Sequence, residues 1–194
     1  MAGSYLDSTI ERWHICFAGF LQDEGSADAG MVKLWRDLRV HASERCCVEL
    51  RSWDDDVDAL AELIWRMRST PPPVVRLYGF SWGGSTALRL CEQLQCRGLY
   101  VASVVLSDAV YRSHWRLGVW RSVVGSPTLW VPRNVDYVWH ARQKTDKRIR
   151  GHEVIARSGD PDVTKIDGPE WAVLHHRYMD DFGLFQDRAL KVAA

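Results

Sequence analysis

The residues of this chain best suited to covalent chemistry are Gly79-Phe80-Ser81-Trp82-Gly83. A serine hydroxyl attacks a carbonyl only when it projects from a rigid corner and a base can reach it. A G-x-S-x-G run between a strand and a helix builds that corner. The turn is so tight that side chains at Gly79 or Gly83 would collide across it. Gly84 and Ser85 prolong the small-residue run and let the helix approach the strands. The amide of Trp82 begins that helix, so it can face a developing oxyanion with the helix dipole behind it.

The surrounding elements supply the required context. Val74 to Tyr78 is an apolar strand directly before the motif, and Gly83 to Gln95 reads as the helix directly after it. Upstream, His14 to Ala18 is a first strand ending at Gly19, followed by a polar loop over Leu21 to Asp28. A helix follows from about Ala29 to Val40, with Met31, Leu34, Trp35 and Leu38 on one face, and Cys46 to Leu50 is a second strand. Asp54, Asp55 and Asp56 open the next helix as capping residues, and Pro71-Pro72-Pro73 ends it. Tyr100 to Leu106 is the most apolar strand and is expected at the centre of the sheet. Later, Val135 to His140 and His152 to Ala156 are expected strands joined by the basic loop Lys144 to Arg150. Gly168-Pro169 reads as a turn, and a last helix is expected to open within Trp171 to Asp181. Strands alternating with helices imply a three-layer α/β/α sandwich around a mostly parallel sheet, and residues 1–194 read as one domain.

The stretch from Val74 to Ser85 resembles the nucleophile elbow of the α/β-hydrolase superfamily. The element order from His14 to about Asp181 is similar to its compact lipase-, cutinase- and esterase-like members without a large cap domain. The resemblance implies the α/β-hydrolase fold and a Ser–Asp/Glu–His triad in that chain order, transferring an acyl group from an ester or thioester to water. It puts the histidine late, at His175 or His176. His176 is preferred because His176-Arg177-Tyr178-Met179-Asp180 resembles the run that follows the triad histidine in small hydrolases. Asp108 leads for the acid, since it leaves the strand after the nucleophile's helix at the same edge of the sheet. Asp146, Asp160 and Asp162 are rivals one strand later. The second oxyanion donor is implied in the loop after the first strand, at the amide of Phe20 or Leu21, beside Trp82.

Lys plus Arg and Asp plus Glu each number 25, so no net charge points to nucleic acid or an anionic membrane surface. The chain has no leader-like start and no apolar run long enough to span a bilayer, so a cytoplasmic protein without integral membrane association is expected. Five cysteines without a C-x-x-C pair fit free thiols. The aromatic segment with Trp115, Trp120 and Trp130 either packs on the sheet or walls an acyl pocket, for which Leu21 and Trp115 are the candidate contacts. Asp54 to Asp56 are consecutive and cannot converge on one ion. No metal, cofactor or nucleic-acid partner is implied, and the expected ligand is a small acyl-ester molecule. The alternative is a catalytically silent binding or scaffold protein keeping the same fold.

Overall fold

The computed structural model describes residues 9–20, 22, 29–111, 128–146, 149–157 and 164–194. Eight strands are defined there: β1 (Arg12–Phe17), β2 (Cys46–Arg51), β3 (Val74–Phe80), β4 (Ser103–Ser107), β5 (Leu129–Val131), β6 (Tyr137–Gln143), β7 (Val154–Ala156) and β8 (Lys165–Ala172). The helices are α1 (Gly30–Val40), α2 (Val57–Arg66), α3 (Trp82–Cys96) and α4 (Gly183–Ala193), with a single 3-10 turn at His176–Tyr178. Six strands form one sheet in the order β2-β1-β3-β4-β6-β8, and every pairing is parallel. β5 and β7 make a separate parallel pair.

Both faces of this sheet are covered at its centre, which is why β1, β3 and β4 are buried at most positions rather than alternating. On one face Ile15, Phe17, Leu77, Val104 and Leu106 pack with Leu60, Ile64, Leu90 and Leu94 of α2 and α3. On the other, Cys16, Tyr78, Val105 and Trp139 pack with Met31, Leu34, Phe185 and Ala189 of α1 and α4. β4 is buried at all five positions and sits in the interior of the order, as its composition implied. Among the three aspartates before α2, Asp56 is the cap: its carboxylate accepts from the amides of Asp58 at 3.0 Å and Ala59 at 3.1 Å.

The C-terminal third departs from the sequence reading. Trp171 does not lie in an opening helix but near the end of β8, and the last helix begins only at Gly183. Gly168-Pro169 is not a turn between elements either, but lies within β8 as a cis peptide. An edge strand tolerates this proline, which has no N–H to give a further neighbour. A register shift between Trp139 and Ala141 of β6 takes up the irregularity. No helix among the described residues is long and apolar enough to cross a membrane. All five cysteines are unpaired.

Three histidines are buried inside this frame. His14, His140 and His152 are 4%, 3% and 3% exposed. Burial, reinforced by nearby arginines, lowers each from 6.5 to about 4; for His14 these are Arg76 and Arg12, for the others Arg142. In the unfolded chain the same rings take up protons near their ordinary value. Between those limits the unfolded state binds more protons, so folding stability falls as pH drops through that window. The slope is up to about 1.4 kcal/mol per pH unit for each ring, and these groups add no dependence at higher pH. Melting temperature followed by circular dichroism should therefore be flat near neutrality and fall steeply on acidification. Replacing His140 with Gln should flatten part of the fall.

Close approach of α3 to the sheet gives a second test. A Cβ on Gly83 would run into the carbonyl oxygen of Phe17 and lie 2.6 Å from that of Ala18. These are backbone atoms at the end of β1, an interior strand paired on both sides, and have little room to step aside. Gly83→Ala should cost about 2 kcal/mol or more in urea denaturation, where an exposed helical Gly→Ala change would instead stabilise.

Candidate active site

β3 and β4 run side by side and end together, Phe80 paired with Ser107. The next residue on each strand turns sharply. Ser81 has φ 53° and ψ −124°, and Asp108 has φ 43°, the two non-glycine residues with positive φ among those described. Such backbone costs roughly 1–3 kcal/mol and persists only where the surroundings over-determine it. Here they do. The Ser81 amide donates to the Ser107 carbonyl at 3.1 Å, the Val110 amide to the Ser81 carbonyl at 2.9 Å, and the Asp108 amide to the Ala141 carbonyl at 2.8 Å. The glycines behave as the motif demands: a Cβ on Gly79 would lie 2.6 Å from the Gly84 Cα.

Three side chains predicted from sequence meet at this edge. Ser81 Oγ lies 2.8 Å from His176 Nε2, and His176 Nδ1 lies 2.6 Å from Asp108 Oδ2. A carboxylate only accepts, so Nδ1 carries the proton and Nε2 is left to accept from the Ser81 hydroxyl. Asp108 is fully buried, Ser81 is 6% exposed and the His176 side chain 13%. The Phe80 ring stacks against the imidazole with centroids 5.2 Å apart, holding its plane. Asp108 Oδ1 accepts from the amides of Gly151 at 2.7 Å and Gln143 at 3.1 Å.

The rival residues stand elsewhere. His175 is exposed, one residue before the 3-10 turn. Asp146 is tied into its own loop, its Oδ1 accepting from the Ile149 amide at 3.3 Å. Asp160 and Asp162 lie outside the described residues, as do Leu21 and Trp115, the candidate substrate contacts, and Trp120. Trp130 is in β5 and 47% exposed. Trp82 is the first residue of α3, and Phe20 occupies the turn after β1. A Cβ on Gly19 would come 3.2 Å from the Ser81 Cβ, so that turn passes directly beside the serine.

Two supports were missed in the sequence. Gln143, at the end of β6, is fully buried, and its side chain closes the loop that follows. Its Nε2 donates to the carbonyls of Asp146 at 2.9 Å and Ile149 at 2.5 Å, and its Oε1 accepts from the Asp146 amide at 2.6 Å. The closed loop then delivers Gly151, which approaches so near that a Cβ there would lie 2.6 Å from Asp108 Oδ1. Their signal was a lone glutamine and a glycine around a basic loop, meaningful only once Asp108 is known to lie beneath them. Among the described residues no three His, Cys, Asp or Glu side chains are grouped to hold a metal ion.

A family model described as "Thioesterase domain" matches residues 30–119, the span from α1 through the Ser81 corner and Asp108. No curated protein matches the chain. Among solved structures, the chain is similar to the NocB thioesterase domain in covalent complex with a fluorophosphonate nocardicin G analogue. That similarity has 16% identity and a TM-score of 0.43, and covers 94% of this chain and 93% of that one.

Gln143 offers a direct check on the carboxylate's setting. Gln143→Leu keeps the volume but strips three hydrogen bonds from half-buried backbone groups. It should destabilise the protein by about 2–3 kcal/mol in urea denaturation. It should also speed amide exchange at Gly151. An unchanged midpoint would show the loop closed without it.

Proposed function

We propose that the chain is a serine hydrolase of the α/β-hydrolase superfamily acting on ester or thioester bonds, with Ser81, His176 and Asp108 as its catalytic triad. The observation that carries this reading is the unbroken relay from Ser81 Oγ through both ring nitrogens of His176 to Asp108, with contacts of 2.8 and 2.6 Å.

As the hydroxyl attacks the acyl carbon, its proton passes to His176 Nε2, and the carbonyl π-pair moves onto oxygen. The amides of Trp82 and Phe20 receive that oxyanion, the first with the N-terminal dipole of α3 behind it. The carbonyl re-forms, the C–S or C–O bond to the leaving group breaks, and the imidazolium returns its proton to the departing thiolate or alkoxide. Water then repeats the sequence against the acyl-Ser81 ester, giving the carboxylic acid and the free hydroxyl. Asp108 stays ionised throughout, fixing the tautomer and stabilising the imidazolium. The substrate class this implies is a small acyl ester or thioester. The match of residues 30–119 to the thioesterase-domain model favours the thioester.

Labelling and turnover test this together. A fluorophosphonate should modify wild-type protein on Ser81, and p-nitrophenyl esters and acyl-thioesters should be hydrolysed. Ser81→Ala should abolish labelling, while Ser81→Ala and His176→Ala should each lower kcat by about 10⁴-fold or more. Asp108→Asn should lower kcat by about 10⁴-fold through the wrong tautomer. His175→Ala should leave kcat within a factor of two of wild type. Wild-type protein that neither reacts with the probe nor turns over any ester would return the chain to the silent-scaffold reading.

A further inference from the structure

The corner at Ser81 has two unlike flanks. Asp108 and His176 stand on the side of β4, β6 and β8. On the other side β1 and β2 end in the turn bearing Phe20 and the loop bearing Trp53. There three rings from three separate connections meet. Phe20 and Trp82 have centroids 4.6 Å apart, Trp53 and Trp82 4.9 Å, and Phe20 and Trp53 5.9 Å. Their planes are inclined at 58°, 58° and 67°. Trp53 is held from behind, its carbonyl accepting from the hydroxyl of Thr86, four residues along α3 from Trp82. Trp82 adjoins the serine in sequence, and the turn carrying Phe20 adjoins it in space.

These rings are not sealed in the core. Trp53 and Trp82 are half-buried, and Phe20 is 49% exposed. Apolar surface left in water is unfavourable, and partly exposed aromatics clustered beside a serine corner are typical of a binding face.

We propose that Phe20, Trp53 and Trp82 form the acyl-group subsite and that it takes a flat, aromatic acyl group. This rests on the reaction proposed above. His176 must protonate the leaving group, so that group lies over the β4–β8 flank. The carbonyl oxygen faces the amides of Trp82 and Phe20. The remaining substituent on the reacting carbon, the acyl group, is left over the side chains of those same two residues and Trp53. Rings inclined to one another offer both faces and edges. A further aromatic group gains edge-to-face contacts there beyond its buried area, which a linear alkyl chain does not. The three side chains carry no formal charge, so an ionised acyl group would lose hydration without compensation.

p-Nitrophenyl acetate, hexanoate and phenylacetate share one leaving group and differ only in the acyl part. Wild-type kcat/KM should be at least about tenfold higher for phenylacetate than for hexanoate. Trp53→Ala should lower the phenylacetate-to-acetate ratio by about tenfold, and Trp53→Phe should restore most of it. Tyr100→Ala, at an exposed position by the opposite end of β4, should leave the ratio unchanged. Should Trp53→Ala fail to fold, Phe20→Ala removes an exposed ring, keeps the backbone amide, and reads the same ratio. Hexanoate turned over as well as phenylacetate, or a ratio indifferent to both ring deletions, overturns the subsite and leaves the reaction standing. Failure of every ester together with failure of fluorophosphonate labelling overturns the reaction, and the subsite with it.

Discussion

The carboxylate of Asp108 is the constraint around which the C-terminal half of this protein is arranged. A buried anion is costly unless each lone pair finds a donor. Asp108 is fully buried and takes N–H groups from Gln143, Gly151 and His176, which come from three different stretches of chain. To supply them, β6 must end beside β4, Gly151 must return to Asp108, and the segment after β8 must bring His176 to the edge of the sheet. The same residue sits at φ 43°, so the requirement of its side chain is strong enough to hold an unfavourable backbone.

Ser81 is held by a related argument. Its strained φ is pinned by backbone hydrogen bonds to Ser107 and Val110, on either side of Asp108. Ser81 and Asp108 therefore belong to one stitched corner, and the separation of their backbones does not depend on flexible side chains. The two apolar layers make that corner rigid by clamping β3 and β4 between α3 on one face and α4 on the other.

A second polar chain ties the segment bearing His176 to the opposite flank. Ser107 Oγ donates to the Met179 carbonyl, and Asp180, 2% exposed, accepts from Gln22 Nε2 at 2.8 Å. Gln22 in turn accepts from the Gly19 amide at 3.1 Å. Burial raises the Asp180 carboxyl above its ordinary range, and the hydrogen bond from Gln22 works against that rise. The segment just past His176 and the turn bearing Phe20 are thus linked through the side chains of Asp180 and Gln22.

Much of this was legible residue by residue. The elbow declares itself because its strain is local: a strand, two glycines around a serine, and a helix must be contiguous for the turn to close. Asp108 could be placed because it leaves the next parallel strand at the same edge, and β4 was recognisable from apolar content alone. Asp56 as a helix cap was readable for the same short-range reason. The reading failed where the deciding interactions were distant. Trp171 and Gly168-Pro169 carry no periodicity marking a strand, and β8 exists because the edge of β6 offers unpaired backbone and a shifted register to match it. Gln143, Gly151 and the meeting of Phe20 with Trp53 and Trp82 depend on separations of tens of residues, which only the packed sheet closes. The sequence by itself determined which side chains stand at the sharp turns, because residue types and local turns are written along the chain. The tertiary structure alone decided which groups surround them, because burial and hydrogen bonding are satisfied across the fold and not along the chain.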